Sequence, residues 1–225
     1  MNHNLSTILK KHKPTFHPII KIDNEKETII PFDFTETNIE ITKDLIADTT
    51  KFSTWVNNKL EKENAIFGIG GYNENRTFYT RSKLFAGEQA RTLHLGVDIW
   101  GAAGTPVYAP MGGMVHSFAY NDNFGDYGAT VILQHNLETT AFYTLYGHLS
   151  LADLGKMRRG KFVTRGEIIG HFGEPTENGD WPPHLHFQIV EDIGIKEGDY
   201  PGVCTLKEAL KYLKNCPDAN LMLNW

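Results

Sequence analysis

Four histidines and one aspartate fall in three short stretches, His94-Leu-Gly-Val-Asp98, Tyr146-Gly-His148-Leu-Ser150 and His184-Leu-His186. Imidazole nitrogens and a carboxylate oxygen are zinc-ligand chemistry. A catalytic zinc takes three such ligands and keeps one position open. Five candidate groups therefore suffice for one ion and leave two imidazoles for proton transfer.

The segment Leu93–Trp100 alternates apolar and polar residues, which is a strand pattern. On a straight strand His94 and Asp98 point the same way but sit about 13 Å apart, four rises of about 3.3 Å. Two ligands of one zinc need donor atoms within about 4 Å. The chain must bend between them, and Gly96 is the residue that permits it. The competing reading is a histidine and an aspartate bonded locally at a strand edge.

His184 and His186 lie two apart in Pro182-Pro-His-Leu-His-Phe-Gln-Ile-Val190. Leu185, Phe187 and Ile189 take one face of that strand, and His184, His186 and Gln188 the other. One imidazole can bind metal while its neighbour meets substrate. Pro182 and Pro183 stiffen the approach and end backbone pairing. His148 stands just beyond the strand-like Phe142–Tyr146; alone it would read as structural.

These groups need a frame, and the 225 residues supply one domain with an appendage or two small ones. From about Leu84 onward short β segments are punctuated by Gly and Pro. The expected strands are 105–109, 114–119, 129–134, 141–146, 161–163, 167–171 and 185–190. Many short strands with such turns indicate a sheet sandwich or barrel. Residues 43–64 read as one helix, with Leu45, Phe52, Trp55, Val56 and Leu60 on one face and Gly68, Gly70 and Gly71 ending the pattern. Residues 1–40 read as irregular, broken by Pro14, Pro18 and Pro31, with short strands near 19–22 and 28–30. Thr205-Leu-Lys-Glu208 is a capping box for a last helix with Leu206, Ala209, Leu210 and Leu213 on one face, stopped by Pro217. Gly104-Thr-Pro-Val107 with Gly113-Met-Val115 is echoed by Gly160-Lys-Phe-Val163 with Gly166-Glu-Ile168, compatible with a sheet of two related halves.

Charge narrows the partners. The net charge of −5 argues against nucleic acid, which selects a basic surface. Neither a secretory signal nor a membrane-spanning run is seen, so a cytoplasmic location and no membrane partner are expected. Cys204 and Cys216 form no Cys-x-x-Cys pair and read as reduced structural thiols, a disulfide requiring the segment between them to fold back. A zinc deaminase is disfavoured because its His-x-Glu and Cys-x-x-Cys elements are absent.

Taken in order, His-x-x-x-Asp, Tyr-x-His-Leu-Ser and His-Leu-His-Phe resemble the LytM/lysostaphin-type zinc metallopeptidases over residues 84–192. Gly104–Gly113, Val131–His135 and Gly166–Gly170 fit the same pattern. The resemblance implies a mainly β fold, the small antiparallel sheet or barrel-sandwich hybrid called the duplicated hybrid motif, with an N-terminal helical extension and a short C-terminal helix. The expected domains are an extension over 1–83, the peptidase-like domain over 84–192 and a helical tail over 193–225 packed on the core. It also implies one Zn2+ per chain held by His94, Asp98 and His186, with His148 and His184 as the catalytic acid/base pair. His135 is then structural, and His116 and His171 are strand-face residues. The implied activity is hydrolysis of an amide by zinc-activated water, the substrate being a peptide, a muropeptide or a small amide.

Two features depart from that pattern. Gly173-Glu-Pro-Thr-Glu-Asn-Gly-Asp-Trp181 is longer, more acidic and more aromatic than the family's turn before His-Leu-His, so a differently shaped groove is expected. No export signal is seen either, so peptidoglycan, which lies outside the cytoplasmic membrane, is not the expected substrate. In Trp181-Pro-Pro-His-Leu-His-Phe-Gln188, Gly198-Asp-Tyr-Pro-Gly-Val-Cys204 and Cys216-Pro-Asp-Ala-Asn-Leu221 it more closely resembles a subgroup also found fused to phosphotransferase and class III aminotransferase domains, which points to small amino compounds or short peptides. The alternative is a non-catalytic, metal-containing binding or regulatory module, or a hydrolase of a small cytosolic amide rather than peptidoglycan. Gly70-Gly-Tyr-Asn-Glu-Asn-Arg76 lies outside the pattern and reads either as a plain loop or as a segment folding Tyr72, Glu74 or Arg76 over the groove.

Overall fold

The Gly- and Pro-punctuated segments become strands in a computed structural model that describes residues 5–23, 25–76, 78–81 and 90–224. The N-terminal third holds α1 (Leu5–His12), β1 (Thr28–Phe32), α2 (Lys43–Ala47), α3 (Thr49–Lys62) and β2 (Ala65–Gly70). Then follow β3 (Leu93–His94), β4 (Val97–Trp100), β5 (Pro106–Tyr108), β6 (Gly113–Asn121), β7 (Gly128–Leu137) and β8 (Thr140–Leu149). The remainder is α4 (Leu151–Leu154), β9 (Phe162–Val163), β10 (Ile168–His171), β11 (His184–Val190), β12 (Val203–Cys204) and α5 (Ala209–Asn215).

Eight strands form one sheet in the order β1-β2-β4-β11-β8-β7-β6-β9, while β5 pairs β10 and β3 pairs β12 separately. The fold is mainly β, as the resemblance implies. The large sheet is open rather than a closed barrel, and it is mixed because β1 and β2 run parallel. All seven expected strands are present. The internal echo has a structural counterpart: β5 pairs β10 and β6 pairs β9, so each half of the repeat pairs crosswise with the other.

Other expectations need correction. Leu5–His12 is a helix inside the stretch read as irregular, because the prolines begin only after it and Leu5, Ile8 and Leu9 form its buried stripe. Ile19 and Ile20 are buried without forming a strand. The helix over 43–64 is two helices. Asp48 separates them and caps the second, its carboxylate accepting from the Thr50 and Lys51 amides. The glycines after it do not end regular structure: Gly68 and Gly70 lie in β2, which joins the sheet beside β4. At the C-terminus Thr205 does cap a helical turn. The apolar face is rotated, however: Leu206 and Leu210 are 58% and 89% exposed, and Ala209, Tyr212 and Leu213 pack inward. Among the described residues no helix is long and apolar enough to cross a membrane.

β4 and β11 are buried on both faces. Val97, Ile99, Leu185, Phe187 and Ile189 point into the main core with α1 and the C-terminal Met222 and Leu223. Their opposite faces carry Asp98, Trp100, His184 and His186. Over part of that side sits a second, aromatic cluster that includes Phe34, Phe52, Phe78, Trp100 and Trp181. Burying each such ring is worth about 1.5–3 kcal/mol. The N-terminal third therefore covers the polar face of the strands that carry the candidate site. Cys204 and Cys216 are both free and buried, and burial pushes their thiols up to about 11 and about 12.

Candidate metal centre and groove

Asp98 on β4 faces His186 on β11, with Gly70 of β2 on one side and Gly147 of β8 on the other. Residues opposite one another in a ladder project from the same face, so these four positions form one row. A Cβ at Gly70 would lie 2.6 Å from Arg76 Nη2, and one at Gly147 2.5 Å from Tyr127 Cδ1. The two bare positions admit a guanidinium beside Asp98 and a phenol ring beside His186.

His94 reaches the row from β3, across the break at Leu95-Gly96. Gly96 is needed there for space. It has no positive φ, but a Cβ would lie 2.6 Å from the Phe187 carbonyl oxygen and 2.7 Å from His186 Cε1. The bend expected from sequence exists, and the glycine's role in it is to let His186 pass.

Three donor atoms converge. His94 Nε2 lies 3.0 Å from His186 Nδ1 and 3.2 Å from Asp98 Oδ1, and His186 Nδ1 lies 3.0 Å from that oxygen. Each ring's other nitrogen has an acceptor: His94 Nδ1 donates to the Gly71 carbonyl at 2.8 Å, and His186 Nε2 to Gln188 Oε1 at 2.9 Å. The Gln188 amide is oriented by its own Nε2, which donates to the Pro201 carbonyl. Those outward bonds place the ring protons outside and turn bare lone pairs inward. Two imidazole lone pairs and a carboxylate oxygen so close repel unless a cation lies among them. The donor set fits a divalent metal with nitrogen and oxygen preference, such as zinc.

Burial drives His94 down to about 4, with Arg76 adding to the effect, so its imidazole is neutral as a ligand must be. Burial works to raise the Asp98 carboxyl, and its surroundings, the Arg76 guanidinium among them, overcome it, leaving Asp98 well below the usual carboxylate range.

The other two histidines stand beside the triangle. Their ring centroids are 4.0 Å apart, and His148 lies 6.4 Å from His186. His148 Nδ1 donates to the Asn178 carbonyl at 2.8 Å, and His184 Nδ1 to the Pro182 carbonyl at 2.7 Å. In both rings this leaves Nε2 as the basic atom. His184 also stacks on Trp100 at 3.9 Å. His148 has φ +62, a left-handed conformation that costs a non-glycine residue about 1–3 kcal/mol and clusters at functional sites. Burial lowers both, His148 well below its ordinary value and His184 to about 4. The long turn before His184 is tied to itself by Asn178, whose side chain bonds the Gly173 and Trp181 backbone.

All five sequence-nominated groups thus meet on one side of the sheet. His135, His116 and His171 do not join them: His135 bonds the Gly112 carbonyl and Thr144 Oγ1, His116 bonds Ser117, and His171 pairs with Asp153. Sequence reasoning raised Glu74 and Arg76 only as one of two readings of their loop, without a site role, and did not single out Tyr79 or Tyr127. Arg76 is buried and bonds Asp98 Oδ2, Glu74 Oε2 and the Tyr79 hydroxyl. Burial works against its charge, and Tyr79, Asp98 and Glu74 more than compensate. The available signal was Glu74 and Arg76 two apart, on one face of an extended segment, after a pair of glycines. Tyr127 packs its ring 5.1 Å from His186 and 5.5 Å from His148.

Asp98, His148, His184 and His186 open onto a groove of about 270 Å3, walled by Phe78, Tyr79, Trp181 and Tyr200 with Arg91 and Lys196 among its other lining residues. That is at the small end of ligand pockets, which run about 300–1,000 Å3.

Residues 92–197 match the model of peptidase family M23. The L-Ala–D-Glu endopeptidase of Bacillus subtilis (strain 168) is 30% identical over 115 residues, 49% of this chain and 33% of that protein. The chain thus spans about one third of the length of this relative. A zinc-containing peptidase from Vibrio cholerae is 27% identical over 53% of this chain and 31% of its own, with a TM-score of 0.38. The catalytic domain of the antimicrobial peptidase lysostaphin from Staphylococcus simulans is 22% identical over 71% and 97%, with a TM-score of 0.41. Residues 92–197 thus carry the pattern of peptidase family M23, the LytM/lysostaphin-type family that the motifs resemble.

Proposed function

We propose that the protein is a zinc-dependent amide hydrolase acting on short peptides or peptide-like amides, with His94, Asp98 and His186 holding the ion. The observation that supports this most is the triangle of inward lone pairs at 3.0–3.2 Å, each histidine fixed from outside by an acceptor. Zinc bound there supplies Lewis acidity for the amide carbonyl and makes water acidic enough to attack near neutral pH.

The chain's own groups do the rest. His148 and His184 present Nε2 as bases, their Nδ1 protons held by the Asn178 and Pro182 carbonyls. One takes the proton of the attacking water, and a proton returns to the leaving amine from the same pair. The Tyr127 hydroxyl, pushed well up by burial, stays protonated and can donate to an oxygen in the groove. Phe78, Tyr79 and Trp181 exclude water from one side. The small groove favours a short substrate over a long glycan-linked strand. A relative that is an L-Ala–D-Glu endopeptidase supports the peptide class.

The test is incubation of zinc-loaded protein with a peptide library and a muropeptide digest, with products read by mass spectrometry beside His184→Ala. Cleavage that disappears in the variant is expected. No cleavage in either pool would reject peptide hydrolysis and move the search to small amides.

A further inference from the structure

We propose that Arg76 is a positioning residue of the metal centre, holding Asp98 Oδ2 so that Asp98 offers an ion Oδ1 alone. This rests on the assignment of His94, Asp98 and His186 as ligands.

A carboxylate beside a divalent ion can bind through one oxygen or both. Here the oxygens have different surroundings. Oδ1 faces His94 Nε2 and His186 Nδ1 at 3.2 and 3.0 Å. Oδ2 accepts from Arg76 Nη1 at 2.5 Å, a charge-assisted bond between two fully enclosed groups. Turning Oδ2 toward the ion would break that bond and leave a buried guanidinium unpaired, a penalty far larger than the stabilisation a second, weak metal–oxygen bond could give. Arg76 thus selects the one-oxygen mode and keeps a coordination position open.

The guanidinium is itself fixed on every side. Nε donates to Glu74 Oε2, Nη1 also to the Tyr79 hydroxyl at 2.9 Å, and Nη2 to the Gly71 carbonyl at 3.3 Å. That same carbonyl orients His94. Glu74 in turn accepts from the Phe34 amide at 3.1 Å. The backbone of this segment is pinned along the strand that carries His94: Asn73 N to His94 O, His94 N to Glu74 O, and Arg76 N to Thr92 O, at 2.8–2.9 Å. Residues 71–76, with the Tyr79 hydroxyl, therefore orient two of the three ligands. An ion pair serving only to anchor a loop would not need to reach into the ligand row through a bare position at Gly70. Lysine is a poor substitute, because one ammonium cannot bridge Oδ2, Glu74 and Tyr79 in a plane.

The test uses the full chain loaded with Co2+ in place of zinc, comparing the parent with Arg76→Gln and Arg76→Lys. The visible absorption of Co2+ weakens as its coordination number rises. In Arg76→Gln the freed Oδ2 is expected to join the ion, weakening the band, and release of metal to a chelator is expected to change about 10–100-fold. Arg76→Lys should restore part of either effect. Thermal melts of the metal-free forms identify which variants fold. A purely structural Arg76 would lower the melting temperature and leave band and release rate as in the parent; that result in Arg76→Gln overturns the proposal. Should Arg76→Gln fail to fold, Arg76→Lys is read alone by the same criterion. Failure of the underlying ligand assignment looks different: the parent takes up no Co2+, or Asp98→Ala takes it up equally well, and the proposal falls with it.

Discussion

His94 Nε2 and His186 Nδ1 face each other at 3.0 Å, each with its ring proton committed to an acceptor on the far side. That arrangement holds two lone pairs against each other, a repulsion that a cation between them relieves. The purified protein is therefore expected to hold one zinc per chain, measured by elemental analysis after dialysis. His94→Ala and Asp98→Ala should each lose it. Full occupancy in both variants would overturn the ligand assignment.

His148 separates metal binding from turnover. Its Nε2 is turned to the groove, outside the triangle, so His148→Ala should keep its zinc while cleavage slows about 100–10,000-fold, the usual worth of a general acid or base. The backbone adds a control. At φ +62 asparagine is better tolerated than alanine. His148→Asn should therefore fold at least as well as His148→Ala and be as inactive. Unchanged turnover in either variant would remove His148 from the chemistry.

The two-residue spacing of His184 and His186 on an apolar-backed strand, and the bend at the glycine between His94 and Asp98, were legible in the sequence because strand alternation and ligand spacing are local; that Gly96 leaves room for the distant His186 was not. The strands from Pro106 onward were legible for the same reason. Arg76 was not. Its function depends on β2 joining the sheet beside β4, a pairing over 28 or more residues that no local pattern announces, and Gly68 and Gly70 read as helix terminators instead of places kept bare for Phe32 and Arg76. The helix at Leu5–His12 escaped notice because the lysines around it mask a stripe of only three buried residues.

Gly96 tests the spatial argument. Alanine can adopt its backbone, yet a methyl would press on the Phe187 carbonyl and the His186 ring at 2.6–2.7 Å. Gly96→Ala is expected to cost about 1–3 kcal/mol of stability, as overpacking does. It should also weaken zinc binding by displacing His186, read by competition with a chromophoric chelator. A variant with parental melting temperature and affinity would mean that the strand break at Gly96 has room the structure does not show.

His135 offers a pH test away from the metal. It is buried between the Gly112 carbonyl and Thr144, and burial lowers it to about 4. An unfolded histidine titrates near 6.5. Between these values the unfolded chain binds a proton that the folded chain refuses, so stability is full above about 6.5, falls as pH drops through the window and levels off below about 4. The loss from this one group is up to about 3 kcal/mol. Other buried histidines add their own losses, which the comparison removes: urea melts of the parent and His135→Gln, at pH 7.5 and at pH 4.5, share every other group. The parent should lose more stability between the two pH values than the variant does. Equal losses would mean that His135 accepts a proton in the folded state as readily as in the unfolded chain.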